Sequence, residues 1–159
     1  EEFSEVIHLP IDVAANVAGN RLDLVVESLP VDAPVLDLGV QSTIKLSQAI
    51  RAAGTVILNG PAGVFEDNNF AFGTVEMLNA CAETEAFVVI GGGHTATLIS
   101  KKGLTAQMGH ISTGGGACLD FLAGKTLPAI ESLEISAQEF GVSILSEIEI
   151  DGDSTERSP

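Results

Sequence analysis

The stretch from Thr55 to Glu66 combines residue types that together could bind a polar ligand. It opens as a short apolar run, breaks at Asn59-Gly60-Pro61, and ends with the carboxylate of Glu66. This pattern predicts a buried strand that runs into a turn and delivers a charged side chain just beyond the strand's end. In open α/β sheets, ligands bind at that edge. A carboxylate placed there can accept hydrogen bonds from the hydroxyl groups of a ligand.

Two further segments have the same form, an apolar run followed by a run of glycines. The first spans residues 87–95 and the second spans residues 110–117. Glycines at the start of a helix let the backbone approach an anion, which the free amides and the positive end of the helix dipole favour. One glycine triplet alone is typical of an ordinary turn. Three such segments in series would line one crevice with small residues.

Together and in this order, these segments resemble the phosphoglycerate kinase family. The chain reads N-G-P-A-G-V-F-E at 59–66, G-G-G-H-T at 91–95, H-I-S-T-G-G-G-A at 110–117 and L-A-G-K-T-L-P at 122–128. The resemblance extends from about Ile7 to Leu133 and concerns the nucleotide-binding domain, with His94 most similar to the archaeal branch. It covers only the later part of that enzyme, whose members are more than twice as long.

The resemblance implies an α/β fold, a Rossmann-like three-layer α/β/α arrangement with a mainly parallel sheet. We expect residues 1–140 to form an incomplete C-terminal nucleotide-binding domain of a two-domain kinase. Residues 141–159 are expected to form an acidic C-terminal tail that is partly disordered, with an edge strand at most. The composition agrees, because 45% hydrophobic and 18% charged residues suit a sheet covered on both faces.

The resemblance also implies a nucleotide site that binds ATP or ADP together with Mg²⁺. Glu66 would bind the ribose hydroxyls, and the first turn of the helix after the first glycine triplet would face the phosphates. The implied nucleotide-binding residues are Asn59, Pro61, Val64, Glu66, Gly91, Gly92, Gly93, His94 and Thr95. The implied catalytic residues are Gly114, Gly115 and Gly116, whose amides would meet the charge of the transferring phosphoryl group.

His94 departs from the family pattern, in which an aspartate at this position holds Mg²⁺. That ion prefers oxygen ligands, so a histidine is a poor substitute and no protein metal ligand is predicted. Either His94 hydrogen-bonds a phosphate, or nucleotide oxygens and water hold the metal. Simpler roles also stay open: a structural cap for His94, a solvated loop carboxylate for Glu66, and a turn-shaping role for Asn59. For Ser112 and Thr113 we favour helix capping.

Charge excludes some partners. With 7 basic and 22 acidic residues, the chain has a formal charge of −15, which argues against nucleic acid and anionic membranes. It also leaves backbone amides and a metal ion to bind much of any phosphate. Cys81 and Cys118 lack C-x-x-C spacing and are predicted to be reduced core residues of a cytoplasmic protein. No apolar stretch approaches the roughly 20 residues of a membrane helix.

The remaining patterns predict the elements that would hold the site. Residues 6–14 are predicted to form a buried strand, residues 21–29 a half-exposed strand, and residues 35–39 a third strand. The family resemblance implies that residues 21–29 are antiparallel to the main sheet. A helix then reaches about Ala53, with Ser42 or Thr43 as its N-cap and a buried stripe. The stripe comprises Ile44, Ala49, Ile50 and Ala53. Later helices are predicted after Thr74 as an N-cap, at 95–102, after the last glycine triplet and at 130–140.

The favoured interpretation is the ATP/ADP-binding part of phosphoglycerate kinase. That enzyme transfers a phosphoryl group between 1,3-bisphosphoglycerate and ADP in glycolysis. Because the family's basic phosphoglycerate site lies on the other domain, the isolated chain is expected to be inactive without the N-terminal portion of the same enzyme. The first residue, Glu1, fits a fragment or a processed product. The alternatives are a noncatalytic nucleotide- or phosphate-binding module and a structural remnant.

Overall fold

Six strands and five α-helices form within residues 6–141, which the computed structural model describes. The strands are β1 (Asp12–Val17), β2 (Asn20–Val25), β3 (Val35–Leu38), β4 (Thr55–Asn59), β5 (Phe87–Gly91) and β6 (His110–Ser112). The helices are α1 (Val40–Ala52), α2 (Phe72–Glu83), α3 (Gly93–Lys101), α4 (Gly116–Leu122) and α5 (Pro128–Phe140). The chain divides into two compact units, Glu1–Cys118 and Leu119–Pro159. No helix within residues 6–141 is long and apolar enough to cross a bilayer.

The glycine-rich segments follow the strands of a parallel sheet. Its strand order is β4-β5-β6, with Ile57 opposite Val89 and Val89 opposite His110. Parallel neighbours need crossover connections, which α2 and α3 supply. All three glycine-rich turns therefore leave the sheet at the same edge, as the sequence predicted for an α/β fold.

Buried and more exposed residues alternate along β4 and β5, so the two faces of this sheet differ. One face is buried against the helices, and Ile50 of α1, Leu78 of α2 and Ile99 of α3 all join its apolar cluster. The strand residues on that face are Val56, Leu58, Val88 and Ile90. On the opposite face, Ile57 is 49% exposed and Phe87 is 56% exposed. Within the described residues of the first unit, 6–118, helices cover one face of the parallel sheet and none covers the other.

The second sheet is antiparallel, with strand order β2-β1-β3. The β1–β2 hairpin turns at Ala18 and Gly19, whose φ angles of 50° and 86° fit the two-residue turn that matches strand twist. The prediction of a strand at 6–14 was wrong in position. Residues 6–9 are exposed and outside any strand, and β1 begins only at Asp12 because Pro10 precedes it. The predicted strand at 21–29 ends at Val25, where a short 3₁₀ helix, Val26–Ser28, begins.

The start of α1 corrects the predicted cap. Gly39 is the N-cap residue and has no capping side chain of its own. Instead, the carboxylate of Asp12 in β1 accepts hydrogen bonds from the amides of Gln41 at 2.9 Å and Ser42 at 2.7 Å. The Ser42 hydroxyl oxygen accepts from the Asp12 amide at 3.0 Å. The side chain of Asp12, remote in sequence, therefore caps the helix, a role that was predicted for Ser42 or Thr43.

This arrangement also changes the buried face of α1. Its buried residues are Ser42, Thr43, Ser47 and Ile50, whereas Ile44 is 50% exposed. Of the predicted stripe only Ile50 is fully buried. Two of the three inward hydroxyl groups have partners there: Thr43 donates to the carbonyl oxygen of Gly39 at 2.8 Å and Ser42 donates to the carbonyl oxygen of Asp12 at 2.9 Å. The Ser47 hydroxyl has no partner among the described residues. A hydrophobic pattern alone misses a face that is buried through hydrogen bonds.

Later elements agree more closely with prediction. In α2, Leu78 and Cys81 are buried, and burial raises the pKa of the Cys81 thiol to about 11, so this cysteine is protonated. Cys118 is only half-buried, which corrects its predicted place in the core. The last helix, predicted at 130–140, begins slightly earlier at Pro128 and ends before Gly141 in the left-handed conformation. The predicted tail strand and disorder at 142–159 lie outside the described residues.

Candidate functional site

The loop that follows β4 is fixed to the rest of the fold through its backbone. Val64 donates its amide to the carbonyl oxygen of Leu36 in β3 at 2.8 Å. The amides of Ala62 and Gly63 donate to the hydroxyl of Thr74 at 3.1 and 3.2 Å. Thr74 was predicted to cap α2, but Ala71 is the N-cap and Thr74 lies in the first turn. Its hydroxyl therefore anchors the loop rather than the helix.

A cavity of about 350 Å³ lies between this loop and the antiparallel sheet. Its wall is mostly apolar and contains one ionisable side chain, Asp37. The lining residues are Val13, Val35, Leu36, Asp37, Leu38, Pro61, Ala62, Gly63 and Val64. The volume falls within the range of sites for small organic ligands, and the space is an open groove rather than an enclosed pocket. Pro61 and Val64 were predicted as nucleotide-binding residues, and both face this space.

Glu66 lies on the same loop, two residues after Val64. Its side chain is exposed, and it has no hydrogen-bond partner among the described residues. Both carboxylate oxygens are consequently free to accept hydrogen bonds from a ligand.

The start of α3 gathers the second set of predicted residues. Gly92 has a φ of 96°, a conformation that favours glycine, and its carbonyl oxygen accepts the first helical hydrogen bond from Ala96 at 3.0 Å. In the described part of the chain, the amides of Gly93, His94 and Thr95 have no acceptor. These three donors and the helix dipole form a typical anion-binding geometry.

Asn59 lies beside this helix start. A Cβ atom on Gly91 would overlap the Asn59 Oδ1 atom, so the amide side chain rests on the glycine backbone. A Cβ on Gly92 would lie 3.8 Å from the Gly60 amide nitrogen and 4.0 Å from both Asn59 Oδ1 and Thr95 Oγ1. Several polar groups from the first and second glycine-rich segments thus converge around one glycine.

Thr95 and His94 differ sharply in their surroundings. Thr95 is 0% exposed, and its hydroxyl has no hydrogen-bond partner among residues 6–141. An unpaired buried hydroxyl is uncommon in proteins and is often completed by a ligand or water. His94 is exposed and, in the part of the chain the structure describes, makes no hydrogen bond as a cap.

The third glycine segment is adjacent to the second. The Gly92 amide donates to the carbonyl oxygen of Ser112 at 3.1 Å. The Ser112 hydroxyl accepts from the Gly114 amide at 3.2 Å, so this serine shapes the glycine turn rather than bonding an amide of α4. Because the Gly114 amide is engaged, the amides of Gly115 and Gly116 are the ones left without acceptors among the described residues.

Comparison with known proteins identifies the family to which this chain belongs. The family model described as phosphoglycerate kinase matches residues 1–125. The chain belongs to the phosphoglycerate kinase family. The phosphoglycerate kinase of Methanocorpusculum labreanum is 46% identical over 141 residues, which are 89% of this chain and 35% of that protein. The enzyme of Methanothermus fervidus is 45% identical over 134 residues, covering 84% of this chain and 32% of that protein.

Solved phosphoglycerate kinases have the same fold. The crystal structure from Pyrococcus horikoshii OT3 has a TM-score of 0.74 and 40% identity, covering 87% of this chain and 35% of that one. The structure from Coxiella burnetii has a TM-score of 0.69 and 35% identity, covering 78% of this chain and 33% of that one. The chain therefore spans about a third of the length of the phosphoglycerate kinases that it matches, and its α/β class is the predicted one.

Two basic residues of the parallel-sheet region lie away from the glycine turns or are paired elsewhere. Lys101 belongs to the last turn of α3, at the end opposite the free amides. Arg51 pairs with Glu83 at 2.8 Å on the surface. The described residues also contain no group of three His, Cys, Asp or Glu side chains that could hold a metal ion.

Sequence reasoning missed one set of residues at the site, the buried charges beside the cavity. Arg21 pairs with Asp37 at 2.8 Å, and the Asp37 side chain is 0% exposed. Burial alone would lower the pKa of Arg21, but hydrogen bonds and charge from Asp23 and Asp37 outweigh it and raise that pKa. An available signal was the carboxylate inside the apolar run of β3, since a charge in a buried strand requires a partner.

Proposed function

We propose that this chain is the ATP/ADP-binding part of a cytoplasmic phosphoglycerate kinase. The enzyme would transfer a phosphoryl group between 1,3-bisphosphoglycerate and ADP, giving 3-phosphoglycerate and ATP in glycolysis. The observation that carries this proposal is the convergence of Asn59, Gly92 and Thr95 at one edge of a parallel sheet, beside three free helix amides.

The nucleoside would occupy the space along the loop after β4. The apolar walls at Pro61 and Val64 suit a purine face, and the free carboxylate of Glu66 suits the two ribose hydroxyls. This loop begins beside the start of α3, since a Cβ on Gly92 would lie 3.8 Å from the Gly60 amide nitrogen, and the phosphates of the nucleotide would bind there.

The phosphates would bind the α3 amides. Gly92 and Gly93 allow close approach, and the Thr95 hydroxyl supplies an additional buried donor. The amides of Gly115 and Gly116 would then face the transferring phosphoryl group, where preorganised donors stabilise developing charge.

Magnesium enters this proposal as an ion held by nucleotide oxygens and water. The residues at the α3 start do not form a Mg²⁺ site, because the exposed side chain there is the imidazole of His94 rather than a carboxylate. No step is therefore assigned to a protein-bound metal.

A complementary portion of the enzyme is the proposed partner. The chain spans about a third of its relatives, and the open face of the parallel sheet exposes Ile57 and Phe87. The acidic composition provides no basic cluster for phosphoglycerate among the described residues. Since in-line transfer requires both substrates held together, we expect no turnover above background from this chain alone in a coupled ADP/ATP assay.

Glu66→Ala is the variant that tests the nucleotide site. Titration calorimetry with ADP should show roughly tenfold weaker binding, the effect of one or two lost hydrogen bonds. Glu85→Ala is the matched control, because Glu85 is an exposed glutamate before β5, at the opposite edge of the sheet. Equal ADP affinities for the two variants would remove Glu66 from the site.

A noncatalytic nucleotide-binding module is the second candidate, and the lack of a basic cluster favours it. Mixing the chain with the complementary portion of a related enzyme discriminates the two. Restored transfer that Glu66→Ala reduces supports the kinase, whereas ADP binding without transfer in the docked pair supports the module.

A further inference from the structure

Among the side chains of residues 6–141, Arg21 makes the most hydrogen bonds outside the proposed nucleotide contacts. Its Nη1 atom donates to Asp37 Oδ2 at 2.8 Å and to the carbonyl oxygen of Asn69 at 3.0 Å. Its Nη2 atom donates to the carbonyl oxygen of Leu38 at 2.9 Å and to Asp23 Oδ1 at 3.1 Å, and Nε donates to Asp23 Oδ2 at 3.2 Å. All five guanidinium donors are therefore used, and none is left for a phosphate.

Asp37 connects this arginine to α2 and to the loop after β4. Its carboxylate accepts from the amides of Leu38 and Gly73, both at 2.9 Å. Cβ atoms on Gly63 or Gly73 would overlap the Asp37 carboxylate, so both backbones lie directly against it. A buried carboxylate bonded this way fixes the backbones that surround it.

The segment held by this pair carries the proposed nucleotide contacts. Residues 60–66 bear Pro61, Val64 and Glu66, and the segment continues to the 3₁₀ helix Asn68–Phe70. Arg21 binds the carbonyl oxygen of Asn69 at the far end, while Gly63 packs on Asp37 in the middle. The guanidinium also lies 5.6 Å from the centre of the Phe72 ring in the first turn of α2. Its contacts thus bridge β2, β3, the loop and α2.

We propose that Arg21, acting through Asp37, is a positioning residue that holds the segment 60–70 in its nucleotide-binding conformation. Arg21 touches no substrate in this proposal, which rests on the proposed function for its effect on ADP. Its effect on the segment itself does not depend on a ligand, so the two can be tested separately.

Hydrogen exchange of the ligand-free chain tests the positioning directly. In Arg21→Met, the amides of Val64 and Gly73 should exchange at least about tenfold faster, as expected for lost hydrogen bonds to a charged group. The Val88 amide in the buried sheet should keep its rate. Arg51→Met is the matched control, because Arg51 is an exposed arginine whose one ion-pair partner among residues 6–141 is Glu83. If Arg21→Met does not fold, Arg21→Lys is measured instead, since lysine keeps the charge but lacks the planar fork.

ADP titration supplies the second measurement. Arg21→Met or Arg21→Lys should weaken binding several-fold in the wild-type background and much less in the Glu66→Ala background, because both changes act on the same contact. An unchanged exchange rate at Val64, or an equal increase at Val88, would overturn the positioning role. Equal ADP losses in the two backgrounds would overturn its action through the Glu66 loop. If the unaltered chain does not bind ADP, the proposed function fails and the exchange rates still decide the role of Arg21.

Discussion

Two helices of this chain begin directly after a strand and a glycine, yet their first turns are used differently. At α1, the amides of Gln41 and Ser42 are bound by the buried carboxylate of Asp12. At α3, the amides of Gly93, His94 and Thr95 have no acceptor among the described residues. The fold supplies an anion at the first helix start and leaves the second one open to an external anion.

The surroundings of the two starts reinforce this difference. A Cβ on Gly39 would overlap the Asp12 carboxylate, whereas a Cβ on Gly93 would meet nothing within 4 Å. Glycine at α1 thus makes room for a protein side chain, and glycine at α3 leaves space outside the backbone. Equivalent sequence signals can mark a structural helix start or a binding site, and the occupant of the first turn distinguishes them.

Removal of the Asp12 carboxylate should have the largest effect on the stability of the fold. Asp12→Ala leaves two first-turn amides of α1 without their charged acceptor in a buried place. We expect the free energy of unfolding to fall by about 3 kcal/mol, a sum of two charge-assisted hydrogen bonds and a helix cap. Urea denaturation provides the measurement.

Asp67→Ala is a suitable control for that variant. Asp67 also caps a short helix, through Asn69, but that hydrogen bond is exposed. Its loss should cost no more than about 1 kcal/mol. Similar losses for both variants would show that Asp12 is no more important than a surface cap.

Gly39 and Gly93, which precede or begin α1 and α3, give the next largest difference in stability when each is replaced by alanine. Gly39→Ala should cost about 2 kcal/mol, because the added methyl group displaces a carboxylate that is already fully bonded. Gly93→Ala should change stability by less than about 0.5 kcal/mol, the usual range at an open position. In the Asp12→Ala background the cost of Gly39→Ala should largely vanish, which urea denaturation of the double variant checks. A persistent cost would locate the clash elsewhere.

The sequence predicted the three strand-to-glycine segments well, because long apolar runs and glycine clusters are local signals. It also placed α2, α3 and α5 nearly where they occur. It failed for the cap and buried face of α1 and for the start of β1, where Asp12 and Ser42 bond across 30 residues and no local pattern reveals the partner. The role of Arg21 was missed for the same reason. Its partners Asp37 and Asn69 become neighbours only when β2, β3 and the loop come together.

A smaller effect is expected from acid, which should reduce the stability that the Asp12 carboxylate contributes at the start of α1. Burial alone would raise the pKa of Asp12, but hydrogen bonds from Ser42 and Gln41 and the charge of Arg21 outweigh it and lower that pKa below 3.8. A lowered pKa in the folded state gives stability that is present above about pH 4 and is lost as the pH falls through the folded value. The stability difference between the unaltered chain and Asp12→Asn should therefore shrink from pH 6 toward pH 3 in urea titrations. A constant difference would mean that the Asp12 charge does not contribute.

The smallest predicted effect is a change in the Mg²⁺ dependence of ADP affinity, caused by placing a carboxylate at the start of α3. His94→Asp places an anion at the open helix start, where it should repel ADP phosphates without metal and share Mg²⁺ with them when the ion is present. Adding Mg²⁺ should therefore increase ADP affinity about fivefold more for His94→Asp than for the unaltered chain, since about 1 kcal/mol is the scale of an exposed ion pair. Ser100→Asp, an equal charge change on an exposed residue in the last turn of α3, is the control and should leave the Mg²⁺ response unchanged. Calorimetric titrations with Mg²⁺ and with chelator give the four affinities needed for each comparison. Identical Mg²⁺ responses for His94→Asp and Ser100→Asp would show that the start of α3 does not face the phosphates, and the contrast with α1 would then be one of structure alone.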